Sequence, residues 1–459
     1  MPSASGAPAG SGHGLQGYRG QIAILSLLAL ATGAAHAPAL WAGFLYDDRN
    51  DVLLNPSARA ATFIERLPAT VRPLLKATYA AQDALGGMNP VAFHAVNLGL
   101  HLATVVLLYL LMRRALRLTG PDRPMVAGMA VLLWALHPAL TDTVSYVSGR
   151  SMGLSSGLLI ASLLAATGPK PRPILAGGFA LLAPLARETA LVAPLLLLAW
   201  QVTIAKEPPT RALRRALPVW TGALLAALII AAMARHRELI AFSLDQRGPL
   251  DTLRANVFAI PEILRLWLAP WRLSVLPTQP VTGGWADAAT LIRISALTAL
   301  PALALVLRRR MPVLALAVLW TLIALIPTNS ILWRVDPVAV RPLYLAGVGL
   351  SLMLALALGR LRHGIWLAAP LAAGLAVMTW HRATLYQDEV ALFTDAADKA
   401  PKEARTQAML GLVLANAGRL DEAQTALRTA LRIDPFQTEA LNALRLIKAG
   451  APIYSAPAP

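Results

Sequence analysis

The stretch that decides the fold is "VAFHAVNLGLHLATVVLLYLLMRR", residues 91–114. Residues 91–112 contain no Asp, Glu, Lys or Arg, and two arginines follow immediately. A helix needs about 20 apolar residues to cross the ~30 Å hydrocarbon core of a bilayer, and basic residues concentrate at the cytoplasmic ends of such helices. The segment therefore predicts a membrane-spanning helix whose C-terminal end faces the cytoplasm.

Runs of this kind recur along the whole chain. Of its 459 residues, 56% are hydrophobic and 14% are charged, with a mean hydropathy of +0.57. Soluble proteins contain about 25% charged residues, so the composition predicts an all-α polytopic membrane protein with about 11 transmembrane helices. We place the spans near residues 21–40, 91–112, 124–140, 151–168, 174–187, 189–205, 218–234, 288–307, 311–327, 343–359 and 365–380.

The formal charge of +17 is a topology signal rather than a sign of nucleic-acid binding. Five short connections hold 15 Lys or Arg and only two acids; they are residues 113–123, 169–173, 206–217, 308–310 and 360–363. Placing them in the cytoplasm puts the N-terminus inside and the C-terminus outside. If residues 252–270 crossed as well, the three arginines at 308–310 would face outside, so we predict an outer interfacial helix there.

The two ends of the chain differ from the middle. Residues 1–18 are rich in Gly, Ser and Ala and are predicted to be disordered. The first apolar run is interpreted as a retained span rather than a cleaved signal peptide, because many spans follow it. The transmembrane domain then covers 19–380, a helical region covers 381–450, and a tail covers 451–459.

Residues 404–437, "ARTQAMLGLVLANAGRLDEAQTALRTALRIDPFQ", match the 34-residue tetratricopeptide (TPR) pattern. Small residues at its fixed positions let two antiparallel helices pack closely. A preceding half-repeat begins at Asp388. Because fewer than two full repeats are short for a free solenoid, we expect this region to lean on the membrane domain or to bind a partner.

Four polar groups are predicted to converge on the outer face. Two neighbouring carboxylates at a membrane boundary are costly unless they are used, and "FLYDDRNDVLLNP", residues 44–56, carries such a pair. The groups are Asp47 with Asp48, His137 with Arg150 in "HPALTDTVSYVSGRS", Arg187 with Glu188, and Arg341 with Tyr344 in "VRPLYLAG".

This set suits transfer of a sugar from a polyprenyl phosphate. A carboxylate outside the membrane can take the proton of an attacking hydroxyl, and arginines can hold the departing phosphate. Direct displacement inverts the anomeric centre. Asp47 is slightly favoured over Asp48 as the base. The second carboxylate would bind the acceptor or help to hold a divalent cation, Mg²⁺ or Mn²⁺; no other cofactor is indicated.

The same motifs, together with "RPLLKATYAAQDALGGMNPVAFHAVNLGLHL" (72–102) and "HRATLYQDEVALFTDA" (381–396), resemble the transmembrane and tetratricopeptide-repeat O-mannosyltransferase family of the GT-C glycosyltransferases, over about residues 20–445. The resemblance implies transfer of mannose or another hexose from a polyprenyl-phosphate donor to a protein or glycan acceptor held by the TPR region, in a bacterial inner membrane with a periplasmic catalytic face. It implies Asp47 and Asp48 as catalytic residues and, at the donor, Arg72, His137, Arg150, Arg187, Glu188, Arg341 and Tyr344.

Departures from the family pattern leave the donor and acceptor open. Relatives commonly have Lys before Glu188, Glu at the position of Val340 and Pro at that of Ala346. Structural roles also compete with the functional ones: His137 as a helix end, Arg150 and Arg341 as lipid anchors, and Glu188 as a partner of Arg187. The alternative functions are a transporter or flippase for a lipid-linked sugar and a membrane-anchored TPR scaffold.

Overall fold

The computed structural model describes residues 11–205 and 207–451, and the regular elements of that part are all helical. In chain order they are α1 (Ser11–His36), α2 (Phe63–Arg66), α3 (Pro73–Gly86), α4 (Pro90–Thr119), α5 (Pro124–Ala135), α6 (Thr141–Val144), α7 (Arg150–Thr167), α8 (Pro173–Ala186), α9 (Ala193–Thr203), α10 (Pro209–Ala232), α11 (Ala234–Gln246), α12 (Pro249–Leu268), α13 (Ala288–Leu307), α14 (Pro312–Leu325), α15 (Leu343–Leu358), α16 (Gly364–Leu385), α17 (Glu389–Lys399), α18 (Ala404–Asn416), α19 (Leu420–Ile433) and α20 (Thr438–Lys448). Short 3₁₀ or π turns cover Ala37–Trp41, Arg49–Leu53, Pro56–Ala58, Leu67–Ala69, Pro138–Leu140, Glu188–Val192 and Pro270–Arg272.

The predicted all-α polytopic class is confirmed. Within the described ranges, 6 helices are long and apolar enough to cross a membrane, and a pair bent by 55° at Pro138 makes up to 7. The full-length helices are α1, α4, α7, α10, α13 and α16. The other predicted spans coincide with the shorter apolar helices α8, α9, α14 and α15, which have 10–17 residues and are shorter than the ~20 residues of a straight crossing.

Residues 1–10 of the predicted disordered N-terminus, and 452–459 of the tail, lie outside the described residues, while α1 begins at Ser11. The segment predicted to lie at the interface is α12, which has 20 residues but is not among the helices apolar enough to cross. Its charged residues Arg254, Glu262 and Arg265 account for this.

Small residues allow the membrane helices to approach closely. An added Cβ at Gly222 of α10 would lie 2.2 Å from the Gly177 carbonyl oxygen of α8, and one at Gly349 of α15 would lie 2.2 Å from the Ala317 carbonyl oxygen of α14. Such contacts replace the hydrophobic effect as the source of cohesion between helices in lipid. They hold the bundle whose outer loops form the site.

The C-terminal helices pack on the membrane domain. Phe393, Met409 and Val413 form a buried cluster with Leu276 of the loop after α12. The Glu389 carboxylate accepts from the backbone N–H of Tyr46 at 2.9 Å and from Arg49 at 2.6 Å. The hairpin of α18 and α19 closes around Gly411, where an added Cβ would lie 2.6 Å from Leu427. The TPR assignment itself stays a prediction.

Candidate active site

The two neighbouring aspartates of the first loop have opposite environments. Asp48 is 0% exposed, and its carboxylate accepts from the backbone N–H groups of Ser148 at 2.7 Å, Val147 at 3.3 Å and Leu45 at 3.3 Å. Burial raises the pKa of Asp48 to about 7, although these three donors oppose the shift. Asp48 therefore ties the loop after α1 to the turn before α7 and is remote from solvent.

Asp47, in contrast, remains accessible. Its side chain is 42% exposed, and Oδ2 accepts from Arg341 at 3.2 Å. Burial raises the pKa of Asp47 above its usual range, and Arg341 partly offsets that rise. A carboxylate with a raised pKa is a better proton acceptor than an ordinary one, so Asp47 fits the role of general base that the sequence predicted.

Arg341 organises the site. Its Nε donates to Asp142 at 3.1 Å and its Nη2 to the Ser148 hydroxyl at 3.3 Å, in addition to Asp47. The Tyr386 hydroxyl donates to the other oxygen of Asp142 at 3.2 Å. Burial lowers the pKa of Arg341, but the carboxylates of Asp142 and Asp47 outweigh it and raise that pKa overall. The guanidinium is thus a fixed positive charge beside the candidate base.

Asp47 lines a cavity of about 170 Å³, which we call the Asp47 cavity. Loops from distant parts of the chain supply its walls, and its four arginines come from three separate segments. Its lining residues are Tyr46, Asp47, Asp142, Tyr146, Arg187, Val275, Leu276, Pro277, Arg334, Asp336, Val338, Ala339, Val340, Arg341 and Arg405. Three carboxylates, those of Asp47, Asp142 and Asp336, therefore face several guanidinium groups across a small space.

Arg187 supplies an unused donor in this cavity. The residue is 6% exposed, its Nη1 donates to the Ser151 hydroxyl at 2.9 Å, and its Nε is buried with no hydrogen-bond partner among the described residues. Buried donors are almost always satisfied by protein, water or ligand. Arg187 thus lines the Asp47 cavity with one donor that no described residue uses, and its predicted role at the donor phosphate stays a prediction.

Arg72 and Glu188 form a pair at the side of the site. Arg72 Nε donates to the Glu188 carboxylate at 3.1 Å, and His236 Nε2 lies 3.1 Å from the same group. Glu188 raises the pKa of Arg72 although burial opposes it. The direct ion pair of Glu188 is thus with Arg72, while the charges of Glu188 and Arg187 interact without a direct contact. The predicted donor contacts of Arg72 and Glu188 stay predictions, since neither residue lines the Asp47 cavity.

Backbone strain also occurs here. Tyr46 and Arg72 have φ values of 33° and 57°, which are rare for residues other than glycine. Such strain costs about 1–3 kcal/mol per residue and concentrates at functional sites. Tyr46 immediately precedes Asp47, and Arg72 precedes the first residue of α3. The strained conformation of Tyr46 is thus adjacent to the candidate base.

Besides Arg72 and Glu188, three more predicted donor-binding residues lie outside the Asp47 cavity and make internal contacts, so their role at the donor stays a prediction. Arg150 is 1% exposed and donates to Asn97 at 2.8 Å and to the Phe93 carbonyl at 2.9 Å, so its guanidinium is occupied. His137 stacks on Trp267 at 3.6 Å and uses both ring nitrogens on backbone groups. The Tyr344 hydroxyl lies 2.9 Å from a histidine ring within the helix bundle.

Arg334, Asp336 and Arg405 belong to the site but were not predicted. They lie in the loop before α15 and at the start of α18, where no local motif distinguishes them. Arg405 forms a short ion pair with Asp336. Asp142 was also missed, although it lies inside the segment "HPALTDTVSYVSGRS" whose other residues were singled out.

The predicted cation site would need several chelating side chains close together. Among the described residues, no group of three or more His, Cys, Asp or Glu could hold a metal ion. Both oxygens of Asp48 already accept backbone hydrogen bonds, so the two adjacent aspartates do not present a chelating pair. The divalent cation remains a prediction that these two residues do not fit.

Comparison with known proteins gives a partial match. The chain is 30% identical over 156 residues to human protein O-mannosyl-transferase TMTC1, covering 30% of this chain and 17% of that protein. It is 29% identical over 161 residues to TMTC3 of Mus musculus, covering 32% and 17%, and 32% identical over 125 residues to Tmtc1 of Drosophila melanogaster, covering 24% and 14%.

The similarity is limited in extent. The chain matches less than a fifth of the length of these relatives. No family model matches it, and no solved structure matches it significantly. Together with the apolar helices, this weak similarity to TMTC O-mannosyl-transferases supports a membrane glycosyltransferase.

Proposed function

We propose that this protein transfers a sugar, mannose or another hexose, from a polyprenyl-phosphate donor to an acceptor hydroxyl, with inversion at the anomeric carbon. A serine or threonine of a protein is the favoured acceptor. The supporting observation is the Asp47 cavity, in which one accessible carboxylate stands beside Arg187, Arg334, Arg341 and Arg405. The similarity to O-mannosyl-transferases supports the same reaction class.

The reaction follows from the positions of these charges. The acceptor oxygen attacks the anomeric carbon and forms the new C–O bond, while the bond from that carbon to the phosphate oxygen breaks. Asp47 takes the hydroxyl proton, and the phosphate leaves with the bonding electron pair. Arg341 and Arg187 stabilise the departing anion through charge-assisted hydrogen bonds. Arg341 also holds Asp47 by the 3.2 Å bond to Oδ2.

The acceptor is proposed to approach beside the C-terminal helices. A second cavity of about 200 Å³ shares Pro277 and Val338 with the Asp47 cavity and extends to Trp271 and Lys399. Arg405 of α18 reaches the Asp47 cavity itself. A TPR-like hairpin that holds an extended peptide next to this path would deliver a hydroxyl to Asp47.

The central experiment replaces the base. Purified protein is incubated with radiolabelled polyprenyl-phosphate mannose and an acceptor peptide, and transfer is measured for Asp47→Asn. Loss of a general base typically costs about 10²–10⁴-fold in rate, so we expect a decrease of that size with normal donor binding. Asp51→Asn is the matched control, because Asp51 lies in the same loop but does not line the Asp47 cavity. An Asp47→Asn enzyme as active as the wild type would refute the mechanism.

The location of the reaction is a separate proposal, namely the periplasmic side of a bacterial inner membrane. Alkaline phosphatase is active only outside the cytoplasm. A fusion after residue 400 should therefore be active, and a fusion within residues 206–217 should be inactive. The reverse pattern would place the Asp47 cavity in the cytoplasm.

A further inference from the structure

We propose that the end of the helix bundle opposite the Asp47 cavity contains a binding site for an anionic phospholipid. The site consists of two adjoining cavities of about 520 and 450 Å³ that share Pro169 and Arg215. We call them together the basic groove. Its arginines are Arg113, Arg114, Arg117, Arg211, Arg214 and Arg215. The argument does not depend on the proposed transferase reaction.

Helix α4 runs from one site to the other, so its length gives the distance between them. Near its start, Asn97 donates to the Tyr146 carbonyl at 2.7 Å, and Tyr146 lines the Asp47 cavity. Arg113 and Arg117 lie farther along the same helix, by about 24 and 30 Å at a rise of about 1.5 Å per residue. Because the hydrocarbon core is ~30 Å thick, the basic groove lies at the opposite membrane boundary.

The charge of the basic groove is not neutralised by the protein. Asp122 pairs with Arg113 at 2.8 Å and with Arg117 at 3.5 Å, and Glu207 pairs with Arg215 at 3.0 Å. Within the described ranges, Arg114, Arg211 and Arg214 have no carboxylate partner. Arg114 Nη1 donates to the Leu164 carbonyl at 2.7 Å and to the Thr167 hydroxyl at 3.1 Å, so Arg211 and Arg214 are the two whole guanidinium groups available to an anion from outside the chain. A phosphate matches their paired donors.

The apolar residues around the basic groove favour the phosphate of a lipid over a free phosphate ion. Leu110 and Leu118 line the groove between the arginines, so it is partly apolar. On α10, next to Arg214 and Arg215, Leu213 and Leu217 are 66% and 57% exposed, which suits contact with acyl chains. A headgroup phosphate between the arginines, with its chains on α10, would use both properties. Basic pockets between membrane helices bind anionic headgroups in this way.

The experiment measures lipid binding directly. Delipidated protein in detergent is titrated with phosphatidylglycerol, and the bound lipid is counted by native mass spectrometry. The variant Arg211→Gln/Arg214→Gln removes the two exposed arginines of the groove that have no carboxylate partner among the described residues. At about 1 kcal/mol per basic residue, we expect an affinity about thirtyfold lower than that of the wild type. The variant Arg211→Lys/Arg214→Lys keeps the charge without the planar fork and should bind with intermediate affinity.

A matched control separates this site from general surface charge. Arg309→Gln/Arg362→Gln removes two exposed arginines at the same end of the bundle that line neither cavity, and its affinity should equal that of the wild type. Equal weakening in both double variants would overturn the site. So would equal binding of phosphatidylcholine, or displacement of the lipid by inorganic phosphate at the same concentration. The thermal transition of each variant confirms that it is folded.

Discussion

The two ends of the helix bundle both collect arginines, but they do so in different ways. In the basic groove, the arginines come in sequence clusters, three between residues 113 and 117 and three between residues 211 and 215. In the Asp47 cavity, the arginines at 187, 334, 341 and 405 come from three segments far apart in the chain, and carboxylates face them. Clustered charge of one sign indicates orientation in a membrane, whereas converging charges of both signs indicate chemistry.

The largest effect expected from this contrast concerns Arg341. Arg341→Ala should lower transfer by about 10²–10³-fold, the usual cost of removing one donor that stabilises a developing anion. Arg341→Lys should restore it only in part, because lysine lacks the planar fork. Arg309→Ala, at the opposite end, should leave transfer unchanged. If Arg341→Ala and Arg309→Ala were equally active, the two ends of the helix bundle would not differ in their contribution to transfer.

A second prediction separates the adjacent aspartates. Asp48→Asn replaces one acceptor oxygen by an N–H₂ group that faces backbone donors, so the variant should lose about 1–3 kcal/mol of stability. Asp47→Asn should melt at nearly the wild-type temperature. Thermal unfolding in detergent measures both. A more destabilised Asp47 variant would reverse their assigned roles.

The pH dependence should distinguish the same two residues. Because the pKa of Asp48 rises to about 7 on folding, its protonated form is favoured in the folded state. Its contribution to stability is present below about pH 4 and is lost as the pH rises to about 7. The melting temperature of the wild type should therefore fall over this range more steeply than that of Asp48→Asn.

The pH dependence of activity should depend on Asp47 instead. The transfer rate of the wild type should rise with pH as Asp47 deprotonates, and this rise should be absent in Asp47→Asn.

The smallest effect is expected from cation removal. Since both oxygens of Asp48 accept backbone hydrogen bonds and Asp47 already contacts Arg341, EDTA should change the transfer rate by less than about twofold if arginines alone neutralise the phosphate. Loss of activity that Mg²⁺ or Mn²⁺ restores would contradict this expectation. It would show that Asp47 binds a cation together with the donor phosphate.

Part of the site was predictable because its residues stand in distinctive local contexts. The acidic pair at a membrane boundary drew attention to Asp47, and the outer-loop arginines led to Arg187 and Arg341. Arg150, His137 and Tyr344 occur in equally distinctive contexts, yet they serve internal contacts. Sequence position places a side chain near a boundary, but it does not reveal the direction in which that side chain points.

By itself, the sequence determined that the chain is a helical membrane protein, where its apolar helices lie, and which connections carry the positive charge. These properties depend on local composition and on the length of apolar runs, which a linear chain displays directly. Only the tertiary structure decided that Asp47 faces a cavity while Asp48 faces backbone donors, and that Asp142, Arg334 and Arg405 join them. The physical reason is that an active site needs groups from distant segments at distances of a few ångströms, and helix packing alone sets those distances.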